Sequence, residues 1–148
     1  MTTIIKKFTD YPFGHRQHNH EGHCANIHGH NWDFEIILGA EELDDNGFVF
    51  DFGKMDPLKA WLKRTFDHTL LLNEDDPFIQ MIQGIEDFPA KIKIVRSCSC
   101  EGIARMLWNF TEEFVAQETE GRVHCLTATV YEDRKNSASY HNTDWGQE

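Results

Sequence analysis

Residues 15–38, HRQHNHEGHCANIHGHNWDFEIIL, frame the reading of the whole chain. The second half is a strand signature. Trp32, Phe34, Ile36 and Leu38 alternate with Asp33, Glu35 and Ile37, so one face is apolar and the other mostly polar. If that strand begins slightly early, His28 and His30 lie two residues apart on one face. Two imidazoles so placed bind one metal ion without strain. A third histidine would complete the three-nitrogen site with an open position that catalytic zinc uses. The first half shows no periodicity and reads as a loop. From 15 to 30 the chain holds six of its nine histidines, with Cys24 among them. Spacing does not choose the third ligand, because His15, His18, His20 and His23 all compete. Cys24 has two functional readings: a fourth ligand that closes a structural site, or a thiolate base beside the metal. The plain alternative is a solvated His-rich loop with incidental metal affinity. Gly29 between the two histidines, and the strand that follows, favour the metal site.

Outward from this stretch, residues 4–11 mix β-branched, aromatic and charged side chains and predict a first strand. Pro12 and Gly14 then loosen the chain. Residues 39–47 form an acidic turn region, and residues 48–52 are expected to extend or edge the sheet. Asp56-Pro57 predicts a helix start, with Asp as N-cap and Pro in the first position. Leu58, Trp61, Leu62 and Thr65 continue it as an apolar stripe. Asp67-His68 and the apolar run 70–72 follow. Asp76-Pro77 opens a short helical piece carrying Phe78, Ile79, Ile82 and Ile85. Residues 91–95 alternate as a strand. Residues 101–117 predict the longest helix, with Ile103, Met106, Leu107, Phe110 and Phe114 on one side and Gly121 closing it. Residues 123–131 are the last expected strand, and the polar tail from 136 onward is expected to fray. Strand pairs separated by helices predict an α+β fold, an antiparallel sheet with helices on one face, in a single domain over residues 1–148.

At 148 residues and 40% hydrophobic content the chain can bury a real core. Fourteen Lys and Arg stand against 25 Asp and Glu, a formal charge of −11, which speaks against a nucleic-acid partner. No apolar run reaches membrane-spanning length, and the start MTTIIKKFTD has no apolar signal core, so the expected setting is cytoplasmic with no membrane partner. The four cysteines, at 24, 98, 100 and 125, lack ribbon spacing and are expected as reduced thiols. Asp67 beside His68 suits an oriented base, since a carboxylate fixes the imidazole tautomer. Glu132 ends the last strand, where a carboxylate can take two hydrogen bonds from a flat amidine-like edge. Glu101 opens the long helix, a placement the helix dipole favours without any function.

In order along the chain stand Tyr11 to Arg16, Cys24, His28-Gly29-His30-Asn31, Asp51-Phe52-Gly53, Asp67-His68, Leu72-Asn73, Ser99 to Glu101, and Glu132. Together they resemble the 6-pyruvoyltetrahydropterin synthase family, and within it the 6-carboxytetrahydropterin synthase branch, which has the same three-residue gap between Cys24 and His28. The resemblance covers nearly the whole chain. It implies a tunnelling fold: a four-stranded antiparallel sheet with two main helices, trimers closing a barrel, and two trimers stacked as a hexamer. It implies a zinc ion held by His15, His28 and His30. It also implies Cys24 as the proton-abstracting group with Asp67 and His68 as partners reaching from a neighbouring subunit, and Glu132 as the pterin anchor with Glu101 and Ser99 as helpers. The implied reaction converts 7,8-dihydroneopterin triphosphate to 6-carboxytetrahydropterin with release of acetaldehyde and triphosphate, on the route to 7-deazaguanines such as queuosine. The alternatives are the pyruvoyl-forming activity on the same substrate and a non-catalytic zinc- or pterin-binding protein. Cys98-Ser99 stands where the family has Pro-Thr, and Asp133 where a threonine is common. Arg16, Lys54, Arg134 and Lys135 are the basic residues considered for the triphosphate.

Overall fold

Two long strands, β1 (Thr2–His15) and β2 (His28–Ala40), pair antiparallel from Thr2 opposite Ala40 to His15 opposite His28. The computed structural model describes residues 1–143. The alternation foreseen in β2 is its burial pattern: Trp32, Phe34, Ile36 and Leu38 are all 0% exposed. Burying each such side chain contributes about 1.5–3 kcal/mol. Between Phe8 and Tyr11 the register shifts, and Asp10 sits at φ 68°. Thr9 and Asp10 of β1 there stand opposite the single Asp33 of β2, which is a β-bulge. Its backbone is held by Asp10 N–H donating to Asp33 Oδ1 (2.9 Å) and Asn31 Nδ2 donating to Asp10 Oδ1 (3.0 Å). The extra residue reverses the phase of the strand. Phe8 before the bulge, and Phe13 and His15 after it, all come to the buried face.

Four more strands complete the sheet: β3 (Thr69–Asn73), β4 (Lys91–Val95), β5 (His124–Tyr131) and β6 (Ser137–His141), in the order β4-β3-β1-β2-β5-β6. The expected four-stranded antiparallel sheet is therefore corrected to a mixed sheet of six. β1, β2, β5 and β6 are antiparallel neighbours, whereas β3 runs parallel to β1 and β4 parallel to β3. The physical reasons are local. The run 70–72 has no alternation because Leu71 and Leu72, on opposite faces, are both 0% exposed, as in a parallel strand covered on two sides. β6 lies in the tail expected to fray. Only Ala138 and Tyr140 face the core, and the strand is held by them, by its ladder to β5 and by a Thr129–Ser139 hydroxyl contact (2.7 Å). Residues 144–148 of that tail lie outside the described residues. Residues 48–52 form no strand. Val49 and Phe50 instead plug the core, with Phe50 edge-on to Phe114.

Three helices accompany the sheet: α1 (Asp56–Phe66), the short α2 (Phe78–Gln83) and α3 (Cys100–Glu118). α1 begins one residue earlier than its Asp-Pro signal implies, with Met55 as N-cap. Its Leu58, Leu62 and Phe66 join α3's Ile103, Ala104, Leu107 and Val115 over the apolar face of β1 and β2. Phe66 packs against both Phe13 (5.2 Å) and Phe34 (5.1 Å). Among the described residues no helix is long and apolar enough to cross a membrane.

Candidate active site

Strand register brings the histidines together. His15 ends β1 opposite His28, the first residue of β2, and Phe13 lies opposite His30. Directly paired residues share a face, as do residues two apart. All three imidazoles therefore rise on the face of Trp32, whose ring stands edge-on to His15 (5.0 Å) and His30 (5.3 Å). In β5, Val130 lies opposite Phe34, and Glu132, two residues on, reaches the same face. One donor atom each from His15, His28, His30 and Glu132 lies within 4.8 Å of the others. The strands approach closely here. A Cβ on Gly14 would stand 3.0 Å from the His28 carbonyl oxygen, and one on Gly29 would stand 3.3 Å from that of Phe13.

The ring nitrogens are sorted by their outer contacts. His15 Nδ1 lies 2.7 Å from the Cys98 carbonyl, and His28 Nδ1 lies 2.7 Å from that of Asn26. A carbonyl only accepts, so each Nδ1 carries the hydrogen and each Nε2 presents a lone pair. His15 Nε2 and His30 Nε2 are buried without a hydrogen-bond partner among the described residues, each 3.3 Å from Glu132 Oε1. Burial lowers the His15 pKa below its ordinary value, against the opposing pull of the Cys98 carbonyl, and favours the neutral ligand form. Lone pairs and a carboxylate oxygen facing one another repel unless a cation lies among them. The three imidazole nitrogens fit zinc with one position left open, and the Glu132 carboxylate beside them supplies a balancing charge.

A cleft of ≈ 460 Å³ over these groups is lined by His15, His28 and Glu132 together with Gln17, Cys24 and Glu101. Cys24 sits in a one-turn 3₁₀ segment, half-buried, its carbonyl accepting from Gln17 N–H (2.8 Å). Glu101 comes from the first turn of α3. Ser99 does not line this cleft. It caps α3, its Oγ accepting from Gly102 N–H (3.0 Å), and faces a neighbouring hollow with Arg96 and Arg105. Asp67 and His68 pair with each other, Oδ1 to Nδ1 at 2.7 Å, but are absent from the cleft of their own chain. His68 has a positive φ of 52°, donates its N–H to the Pro12 carbonyl (2.8 Å) and leaves its side chain 80% exposed. Strain of this kind, about 1–3 kcal/mol, recurs at functional positions.

The remaining loop histidines lie elsewhere. His18 lies near Asp75 and Asp76, while His20 and His23 are exposed. Of the basic residues considered for an anion, Lys135 lines the cleft, Arg134 a hollow on the other side of Glu132, and Lys54 a more distant one. Arg16 is engaged. Its Nε and Nη2 donate to the two oxygens of Asp76 (2.7 and 2.6 Å), whose side chain is fully buried and also accepts from Phe78 N–H. Arg16 thus fixes the loop rather than offering a free charge. Asp133, at the unusual position after Glu132, spends its carboxylate on the turn between β5 and β6, accepting from Lys135 and Asn136 N–H.

Asp76→Ala is expected to destabilise the fold by on the order of 3 kcal/mol, because the guanidinium and the Phe78 N–H lose their acceptor together. The midpoint of urea unfolding measures this, and an unchanged midpoint would contradict it. The hydrogen bonds from Arg16 hold the Asp76 pKa below the ordinary aspartate value. The pair's contribution is therefore complete above that ordinary value, near ~3.9, and is lost as pH falls through the lower folded one.

A family model described as 6-pyruvoyl tetrahydropterin synthase matches residues 4–143. A relative from Rickettsia typhi named 6-carboxy-5,6,7,8-tetrahydropterin synthase is 41% identical over 113 residues, which cover 73% of this chain and 80% of the relative. Among solved structures, an uncharacterized protein from Wolinella succinogenes superposes with a TM-score of 0.81 at 20% identity, over 95% of this chain and 98% of that one. The 6-pyruvoyl tetrahydropterin synthase of Caenorhabditis elegans gives 0.63 at 20% identity, over 97% and 98%. At that identity the two structures speak for the fold alone.

Proposed function

The chain belongs to the 6-pyruvoyl tetrahydropterin synthase family, and from this we propose that it is a zinc-dependent 6-carboxy-5,6,7,8-tetrahydropterin synthase. Its substrates are 7,8-dihydroneopterin triphosphate and one water, and its products are 6-carboxytetrahydropterin, acetaldehyde and triphosphate. The observation that carries the proposal is the convergence of the His15, His28 and His30 rings with Glu132, where His15, His28 and Glu132 line one cleft with Cys24 and His30 faces the adjoining hollow.

Zinc bound there supplies Lewis acidity to the side-chain oxygens of the substrate. The protein's own groups do the rest. Glu132 takes the amidine edge of the pterin through a two-point hydrogen bond. Glu101 assists from the rim, and Ser99 serves it by fixing the helix turn that carries it. Cys24 withdraws a proton from the substrate side chain. His68, oriented by Asp67, passes protons on the opposite side. That pair lies outside the cleft of its own chain, with the His68 ring turned to solvent and Asp67 half-buried behind it, which agrees with its service to a neighbouring subunit. The proposal therefore includes a homo-oligomer, a hexamer of two trimers closed into barrels. The chain acts as one domain in the cytoplasm, its product serving 7-deazaguanine synthesis.

The three histidines leave a position open for the substrate as long as neither Cys24 nor Glu132 occupies it; Cys24 is not in the converging donor group, and Glu132 is engaged by the pterin. The test is product identity by mass spectrometry after incubating the zinc-loaded protein with 7,8-dihydroneopterin triphosphate. The expected result is 6-carboxytetrahydropterin with acetaldehyde. Accumulation of the pyruvoyl compound without acetaldehyde would assign the other branch, and unchanged substrate would refute catalysis.

A further inference from the structure

We propose that Asn73 is a positioning residue for the metal centre: its side-chain amide holds Cys98, and so fixes the tautomer of His15, while also tying down the loop that bears Cys24. The link to metal affinity rests on the zinc reading above; the link to the tautomer does not.

Asn73 is the last residue of β3 and is 8% exposed. The parallel pairing of β1 with β3 sets Leu71 beside His15 and carries Asn73 just past the end of β1. Both ends of its amide are used. Oδ1 accepts from Cys98 N–H at 2.8 Å, and Nδ2 donates to Gln17 Oε1 at 3.1 Å. Cys98 is fully buried, and its carbonyl accepts from His15 Nδ1 at 2.7 Å. Gln17 in turn donates its backbone N–H to the Cys24 carbonyl at 2.8 Å. One buried side chain thus lies a single residue away from a metal ligand in one direction and from the candidate base in the other.

The role requires a hydrogen-bond acceptor facing Cys98 N–H. Without an acceptor, the buried Cys98 N–H loses its partner and the 97–99 segment shifts to find another. The carbonyl that keeps hydrogen on His15 Nδ1 moves with it. His15 then samples the tautomer with hydrogen on Nε2, which cannot bind a metal through that atom. Outer partners of ligating histidines typically carry about 10–100-fold in metal affinity.

The test combines long-range proton–nitrogen NMR of the His15 ring in metal-free protein with zinc affinity measured by chelator competition. In the natural chain one tautomer is expected, hydrogen on Nδ1. Asn73→Leu, similar in size but without an acceptor, is expected to show mixed tautomers and about 10–100-fold weaker zinc binding. Asn73→Ala takes its place if the leucine variant does not fold. Asn73→Asp keeps the acceptor and is expected to restore the single tautomer and most of the affinity. A single Nδ1–H tautomer in the leucine or alanine variant would overturn the proposal, as would an aspartate variant as mixed as the leucine one. If the natural chain binds no zinc, the metal reading fails, but the tautomer comparison still decides the role of Asn73.

Discussion

Cys24→Ala is expected to keep a full complement of zinc and lose turnover by about 10²–10⁴-fold, the range that a positioned proton-transfer group contributes. The two halves of that expectation have separate structural grounds. Zinc retention follows because the four converging donor atoms come from His15, His28, His30 and Glu132, and the His15 and His28 rings are oriented by the Cys98 and Asn26 carbonyls. None of these contacts involves the Cys24 thiol. Loss of turnover follows because Cys24 lines the cleft beside those ligands, half-buried, on a turn tied to Gln17. The fold should persist, since the side chain belongs to no core cluster. Metal analysis and steady-state kinetics on one preparation measure both halves. Undiminished turnover would remove Cys24 from the reaction, and lost zinc would make it a ligand.

His28→Ala is the complementary variant, expected to lose zinc and turnover together. Removing one of three nitrogen ligands should weaken metal binding by more than the ~100-fold typical of an outer-partner change. His28 suits the test better than His15. It lies half-buried at the start of β2, whereas His15 is 3% exposed and also bonds Cys98. The variant should therefore unfold with nearly the natural midpoint in the absence of metal. Stoichiometric zinc in this variant would show that the ligand set is wrong.

The parts of this architecture that local pattern dictates were open to reading from the sequence. The alternation through Trp32, Phe34, Ile36 and Leu38 fixes β2, and its extension backward places His28 and His30 on one face. The apolar spacing of Ile103, Leu107 and Phe114 fixes α3. Parts that depend on distant partners were not open to it. The meeting of His15 with His28 and His30 depends on the bulge at Asp10, which no composition signal marks and without which Phe8 and His15 would face opposite ways. The parallel strand β3 was hidden because burial on both sides erases alternation, and β6 because a ladder can hold a polar edge strand. Asn73 carries no local signal for its role, since its partners lie 25 and 56 residues away. Asp67-His68 was recognisable as a pair, and the structure leaves it out of the cleft that Cys24 lines.

The most direct test of the metal-centred account is X-ray absorption at the zinc edge of the loaded, substrate-free protein. The arrangement of His15, His28 and His30 beside Glu132 predicts three imidazole nitrogens and oxygen, with metal–ligand distances of about 2.0–2.2 Å and no sulfur. A sulfur neighbour at about 2.3 Å would put Cys24 on the metal, close the site and contradict the catalytic reading.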